Sequence, residues 1–61
     1  MIIKKSEKDE RIEKIIDVAF RLFVDKKIES VTMGEIAKEA GIGRATLFRY
    51  FPGKLELVIA V

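Results

Sequence analysis

The chain has no cysteine, no histidine and no tryptophan, and only one proline and four glycines among its 61 residues. Without cysteine there can be no disulfide staple and no thiolate metal site, which suits a reducing compartment. Without histidine, the side chain most used for proton transfer near neutrality and for holding zinc is missing. No apolar run approaches the ~20 residues that span a bilayer, and the N-terminus, MIIKKSEKDE, lacks the apolar stretch of a signal peptide. The cytoplasm is the expected compartment, and no membrane partner is expected. Scarce glycine and proline beside 49% hydrophobic residues argue against a disordered tail and for a folded helical chain. At this length it is one small domain of modest stability.

Net charge is only +2, and its distribution says more than its size. Up to Gly41 there are nine basic residues, Lys4, Lys5, Lys8, Arg11, Lys14, Arg21, Lys26, Lys27 and Lys38, and nine acidic ones. After Gly41, Arg44, Arg49 and Lys54 face Glu56 alone. The excess therefore sits in the last third of the chain, with a second small cluster at Lys4, Lys5 and Lys8. Such clustering is the footprint of a phosphate-facing surface.

The segment TMGEIAKEAGIGRATLFRY, residues 32–50, organises the rest. Thr32 and Glu35 have the spacing of a capping box, in which the threonine hydroxyl accepts from the N–H three residues on and the glutamate reaches back to the cap N–H. A helix is expected from there. Ile36, Ala37 and Ala40 share one of its faces, and the two alanines leave room for a second helix to cross closely. Gly41 is expected to close it in the left-handed conformation, with Ile42 turning into the core. A second helix should run from about Gly43 to Tyr50, with Leu47 and Phe51 inward and Arg44, Ala45, Thr46, Phe48 and Arg49 on the outer faces. This is a helix-turn-helix whose second helix is basic and bears hydroxyl groups. Arg49, one turn along that helix, is assigned to phosphate or solvent in preference to a base.

Ahead of it, Ile12, Ile15, Ile16, Ala19, Phe20, Leu22 and Phe23 recur at three- and four-residue steps between Asp9 and Lys26, which predicts an amphipathic scaffold helix. Its charges form a solvated face with pairs such as Glu10–Lys14 and Asp17–Arg21. Phe20, Phe23, Leu47 and Phe51 are assigned to the core. Residues 1–8 read as a flexible basic arm, either solvated or reaching DNA phosphates or the minor groove. Val31 precedes the Thr32 cap as a candidate hydrophobic staple. Phe51-Pro52-Gly53 breaks the chain, and Lys54 to Val61 begin a fourth helix that stops in an apolar run without a C-cap. A continuation that buries Leu57, Val58 and Val61 is expected. The predicted architecture is all-α: a small, homeodomain-like bundle of three helices over 9–53 containing the helix-turn-helix, plus the start of a fourth at 54–61.

No enzyme is expected. Gly41-Ile42-Gly43 lacks the third glycine of a dinucleotide loop, Thr46 holding its place, and follows a helix where that loop follows a strand. Gly53-Lys54 lacks the earlier glycine and the Ser/Thr of a P-loop, and Ser6 and Ser30 have no base to activate them. No catalytic residue, metal site or cofactor is assigned. The competing class is a helical protein-interaction module that docks through the apolar C-terminal run without binding DNA.

With these residues in view, the sequence closely resembles the N-terminal DNA-binding domain of the TetR (tetracycline-repressor-like) family of transcriptional regulators, from about Arg11 to Val61. The resemblance rests on Leu22-Phe23 ending the first helix, the Thr32 cap, Ile36-Ala37, Ala40-Gly41-Ile42, Thr46-Leu47-Phe48 with Tyr50-Phe51, and Lys54 opening the fourth helix. It implies that Arg44, Ala45 and Phe48 contact base edges in the major groove of double-stranded DNA, and that Thr32, Thr46, Tyr50 and Lys54 grip phosphates. It also implies a ligand-responsive regulator, most often a repressor, that works as a homodimer. The dimer interface and the small-molecule effector pocket would lie in a C-terminal domain absent from this sequence. The chain departs from the family pattern at Gly43, in place of a cap serine; at Phe48, in place of tyrosine; at Lys27, in place of a glycine; and at Gly34, which puts no side chain on the second helix toward DNA.

Overall fold

The computed structural model describes residues 6–61, so Ile2, Ile3, Lys4 and Lys5 of the expected basic arm lie outside the described residues. Four helices follow one another: α1, Glu7–Asp25; α2, Met33–Ala40; α3, Arg44–Tyr50; and α4, Lys54–Ala60. Among the described residues there is no strand.

Helix α1 starts two residues earlier than the periodicity predicts. Ser6 holds extended angles and its hydroxyl accepts from the Asp9 N–H at 3.2 Å, a side-chain cap that draws Glu7 and Lys8 into the helix. Glu7, Asp9 and Glu10 then place negative charge in the first turn, where the helix dipole favours it. At the other end Lys26 turns extended while its N–H still donates to the Leu22 carbonyl at 2.8 Å. On the solvated face Asp17 and Arg21 approach to 4.0 Å.

Nine residues make the fully buried core: Ile15, Val18 and Ala19 of α1, Val31 of the connection, Ile36, Ala37 and Ala40 of α2, Leu47 of α3 and Leu57 of α4. No polar or charged side chain is buried among the described residues. Leu22, Phe23, Met33, Ile42, Tyr50 and Phe51 pack against this cluster from its rim. Helix α1 packs on both α2 and α4, and α2 on α3, so the long first helix carries α2 and α4 directly and α3 through α2.

Two assignments to buried positions change. Phe20 was expected in the core and is 52% exposed. It stands five residues from Ile15, about 140° round a helix that turns by about 100° per residue, and so falls outside the stripe that Ile15, Val18, Ala19 and Leu22 define. Instead it lines an open groove with Ile16, Asp17, Ala60 and Val61. Leu57 was expected to wait for a continuation of the chain, yet it is fully buried by this fold itself. Of the large apolar residues of α4, Leu55 and Ile59 are the exposed ones, at 67% and 76%.

The connection between α1 and α2 is more ordered than its composition suggests. A 3₁₀ turn occupies Ile28–Ser30, and the Val31 N–H donates to the Ile28 carbonyl at 3.2 Å. Val31 then drops its side chain into the core immediately before the Thr32 cap. The second break also forms, but Pro52 stands ahead of the N-cap Gly53 and outside the first turn of α4. Phe51 before it is extended at φ −135°, as a residue preceding proline should be.

Candidate nucleic-acid interface

The joint between α2 and α3 is built on Gly41, whose φ of 72° and ψ of 32° lie in the left-handed region. Its N–H donates to the Lys38 carbonyl at 3.1 Å, and the Ile42 N–H reaches the Ala37 carbonyl at 3.0 Å. This pair of bonds is a Schellman motif, which satisfies the last carbonyls of α2 and leads Ile42 back onto the core. Gly43, extended and without a side-chain cap, then starts α3.

Helix α3 is seven residues, about 10 Å, long. Leu47 is fully buried and fixes which way the helix faces. Arg44, Ala45, Phe48 and Arg49 are consequently exposed, with Phe48 at 43%, while Thr46 and Tyr50 are half-buried and Tyr50 packs against the core. Arg44 with Phe48, and Ala45 with Arg49, stand one turn apart in two adjacent rows. The outward face of α3 is therefore cationic at both ends and apolar between, and among the described residues it is exposed. All five expected α3 residues besides Tyr50 reach the surface to some degree.

Thr32 lies at the N-terminus of α2 and is exposed. Its Oγ1 accepts from the Glu35 N–H at 3.1 Å, which leaves the hydroxyl hydrogen free to donate outward. The reciprocal half of the expected capping box is replaced. The Glu35 carboxylate accepts from the ammonium of Lys26 and so ties the end of α1 to the first turn of α2. That hydrogen bond holds the Glu35 carboxyl below its ordinary range and the Lys26 ammonium above its own.

Lys54, half-buried on the first turn of α4, is already engaged. Its Nζ donates to the carbonyls of Ile28 at 2.7 Å and Val31 at 2.9 Å, leaving one of three N–H groups for another acceptor. Sequence reasoning placed this lysine near phosphates and missed its hold on the connection, because backbone acceptors more than twenty residues away leave no mark in a sequence pattern.

Arg44 has an equally unforeseen neighbour. A methyl group built on Gly34 of α2 would stand 3.0 Å from its Nη2, 3.1 Å from its Nε and 3.3 Å from its Cζ, so the guanidinium rests on the bare backbone of α2's first turn. The departure at Gly34 was legible in the sequence as a missing side chain; what occupies the space was not.

This arrangement has known counterparts. Residues 15–61 match the model of bacterial regulatory proteins of the tetR family. The chain is 40% identical over 55 residues to helix-turn-helix-type transcriptional regulators of Staphylococcus aureus strains USA300, COL and MW2. The aligned part covers 90% of this chain and 29% of each relative, so the chain spans under a third of the length of the curated relatives it matches. The family match takes in the second half of α1, the glycine-hinged helix pair and α4, every element that the core joins, and places the chain with DNA-binding regulators and not with enzymes. On that span of shared sequence and fold, the chain belongs to the tetR family of bacterial regulatory proteins.

Proposed function

We propose that this chain is the sequence-reading head of a transcriptional regulator, with α3 entering the major groove of an operator. The observation that carries the reading is the division of α3: Leu47 anchors one side completely, and Arg44, Ala45, Phe48 and Arg49 project from the other. A major groove about 12 Å wide accepts a helix of this kind. In this reading Arg44 donates to the O6 and N7 of a guanine, and Ala45 and Phe48 pack on thymine methyl groups. Thr32, Thr46, Arg49 and Tyr50 hold phosphates, joined by Lys54 through its remaining N–H. The free hydroxyl hydrogen of Thr32 supports its part in this set.

The whole protein is proposed to act in the cytoplasm as a homodimeric repressor, its two heads meeting half-sites about 34 Å apart, one helical turn of DNA. The exposed Phe20, Leu55 and Ile59 support a further contact on the α1–α4 side, which we assign to the rest of the regulator. A small-molecule effector bound there would release the DNA by changing the separation of the heads.

Selection of bound duplexes from a random pool by the protein at its natural length, followed by affinity measurements against salt, tests the reading. A defined, two-fold symmetric site is expected, with log K falling linearly against log salt as phosphate counterions are released. A protein that retains no duplex at low salt would instead be an interaction module, and the reading would be lost.

A further inference from the structure

We infer that Gly34 sets the base preference of this protein by acting through Arg44. The inference rests on the proposed role of Arg44 as the guanine-reading residue and adds what positions it. Arg44 belongs to α3 and Gly34 to α2, so the pair bridges the two halves of the helix-turn-helix. A Cβ at position 34 would press into three atoms of the guanidinium, at 3.0, 3.1 and 3.3 Å, closer than ordinary van der Waals contact. Among the described residues no hydrogen bond or ion pair engages that guanidinium.

These facts carry a specific consequence. The head group is located by shape, by lying against bare backbone, and its donors stay unspent. The N-terminus of α2 carries partial positive charge, and the one carboxylate of its first turn, Glu35, is taken by Lys26, so shape more than charge seats the guanidinium. Bidentate pairing with a guanine demands a defined plane and reach of the fork, so what locates the fork locates the base it selects. Glycine in a helix is also the less stable choice beside alanine, so helix stability does not account for its presence at position 34. Position 34 therefore trades helix stability for the seat of Arg44.

The opposed signs give the test. Gly34→Ala should fold, because the atoms in its way are the end of a flexible side chain. It should keep or raise the thermal midpoint. Against the selected operator and its single-base-pair variants, discrimination should drop at one position, by about fivefold or more, and at the same position that Arg44→Ala affects. In the Arg44→Ala background Gly34→Ala should change nothing further. Gly34→Ser, with the same Cβ and a side chain suited to a helix start, repeats the measurement should the alanine variant fold poorly. Full discrimination in Gly34→Ala alongside lost discrimination in Arg44→Ala overturns the inference and leaves the Arg44 reading standing. An effect of Gly34→Ala that persists without Arg44 also overturns it, because position 34 then acts by itself. If Arg44→Ala alone leaves discrimination intact, the reading of Arg44 fails first and takes this inference with it.

Discussion

The Nζ of Lys54 lies 2.9 Å from the carbonyl oxygen of Val31, 23 residues earlier in the chain, and 2.7 Å from that of Ile28. One side chain thus closes the connection that precedes the helix-turn-helix onto the helix that follows it. Lys54→Met keeps the methylene stem and removes both bonds. In urea unfolding without DNA it should cost about 1–3 kcal/mol, the range for hydrogen bonds to charged groups. Superimposable unfolding curves for the two proteins would confine Lys54 to contact with a ligand.

Thr32 carries a cap and, by our proposal, a phosphate contact, and two substitutions separate them. Thr32→Ala removes the acceptor of the Glu35 N–H and should cost about 0.5–2 kcal/mol of stability while weakening DNA binding. Thr32→Asp restores the cap but places a carboxylate against phosphate. It should unfold like wild type and lose affinity for every duplex alike; retained affinity would leave Thr32 a cap only.

At Gly41 nothing lies within 4 Å of where a Cβ would stand, so substitution meets no steric neighbour. The cost is confined to the backbone, since φ is 72°. Gly41→Ala should lower stability by about 1–2 kcal/mol, and Gly41→Asn by less, because asparagine tolerates left-handed angles better. Chemical denaturation midpoints of the two variants decide it, and equal losses would point to a packing role for this glycine.

The Lys26–Glu35 pair predicts a pH profile. The Glu35 carboxyl is held below its ordinary 4.5, so its contribution is present above that value and is lost as pH falls through the lowered one. The Lys26 ammonium is held above its ordinary 10.5, so its contribution is present below that value and is lost as pH rises through the raised one. Both groups are solvent-accessible, which keeps the effect small and screened by salt. The difference in urea midpoint between wild type and Lys26→Met should therefore be flat from about pH 5 to 10 and close toward both extremes. A difference that grows toward acid would refute the pairing.

What a sequence can disclose here follows chain separation. The Thr32 cap, the left-handed Gly41, the buried Ile36, Ala37 and Ala40, and the division of α3 around Leu47 all depend on neighbours within a turn or two, and spacing alone revealed them. Phe20 shows where periodicity fails, because three- and four-residue steps admit a residue at the edge of a stripe without saying how wide the stripe is. Ser6 was overlooked because its cap stands before the apolar pattern starts. Glu35 had two available partners, the cap N–H nearby and Lys26 nine residues away, and only packing of α1 on α2 chooses between them. The seat of Arg44 on Gly34 and the hold of Lys54 on Ile28 and Val31 arise from tertiary folding and have no local signature.

Val31 has its side chain in the core, its N–H on Ile28 and its carbonyl on Lys54, while Lys26 at the far end of the same connection is tied to Glu35. A surface segment of this kind usually tolerates insertions and deletions during evolution. Here a single added or deleted residue would pull at least one of those attachments out of register, so this short link should keep its length among relatives even where its residues change.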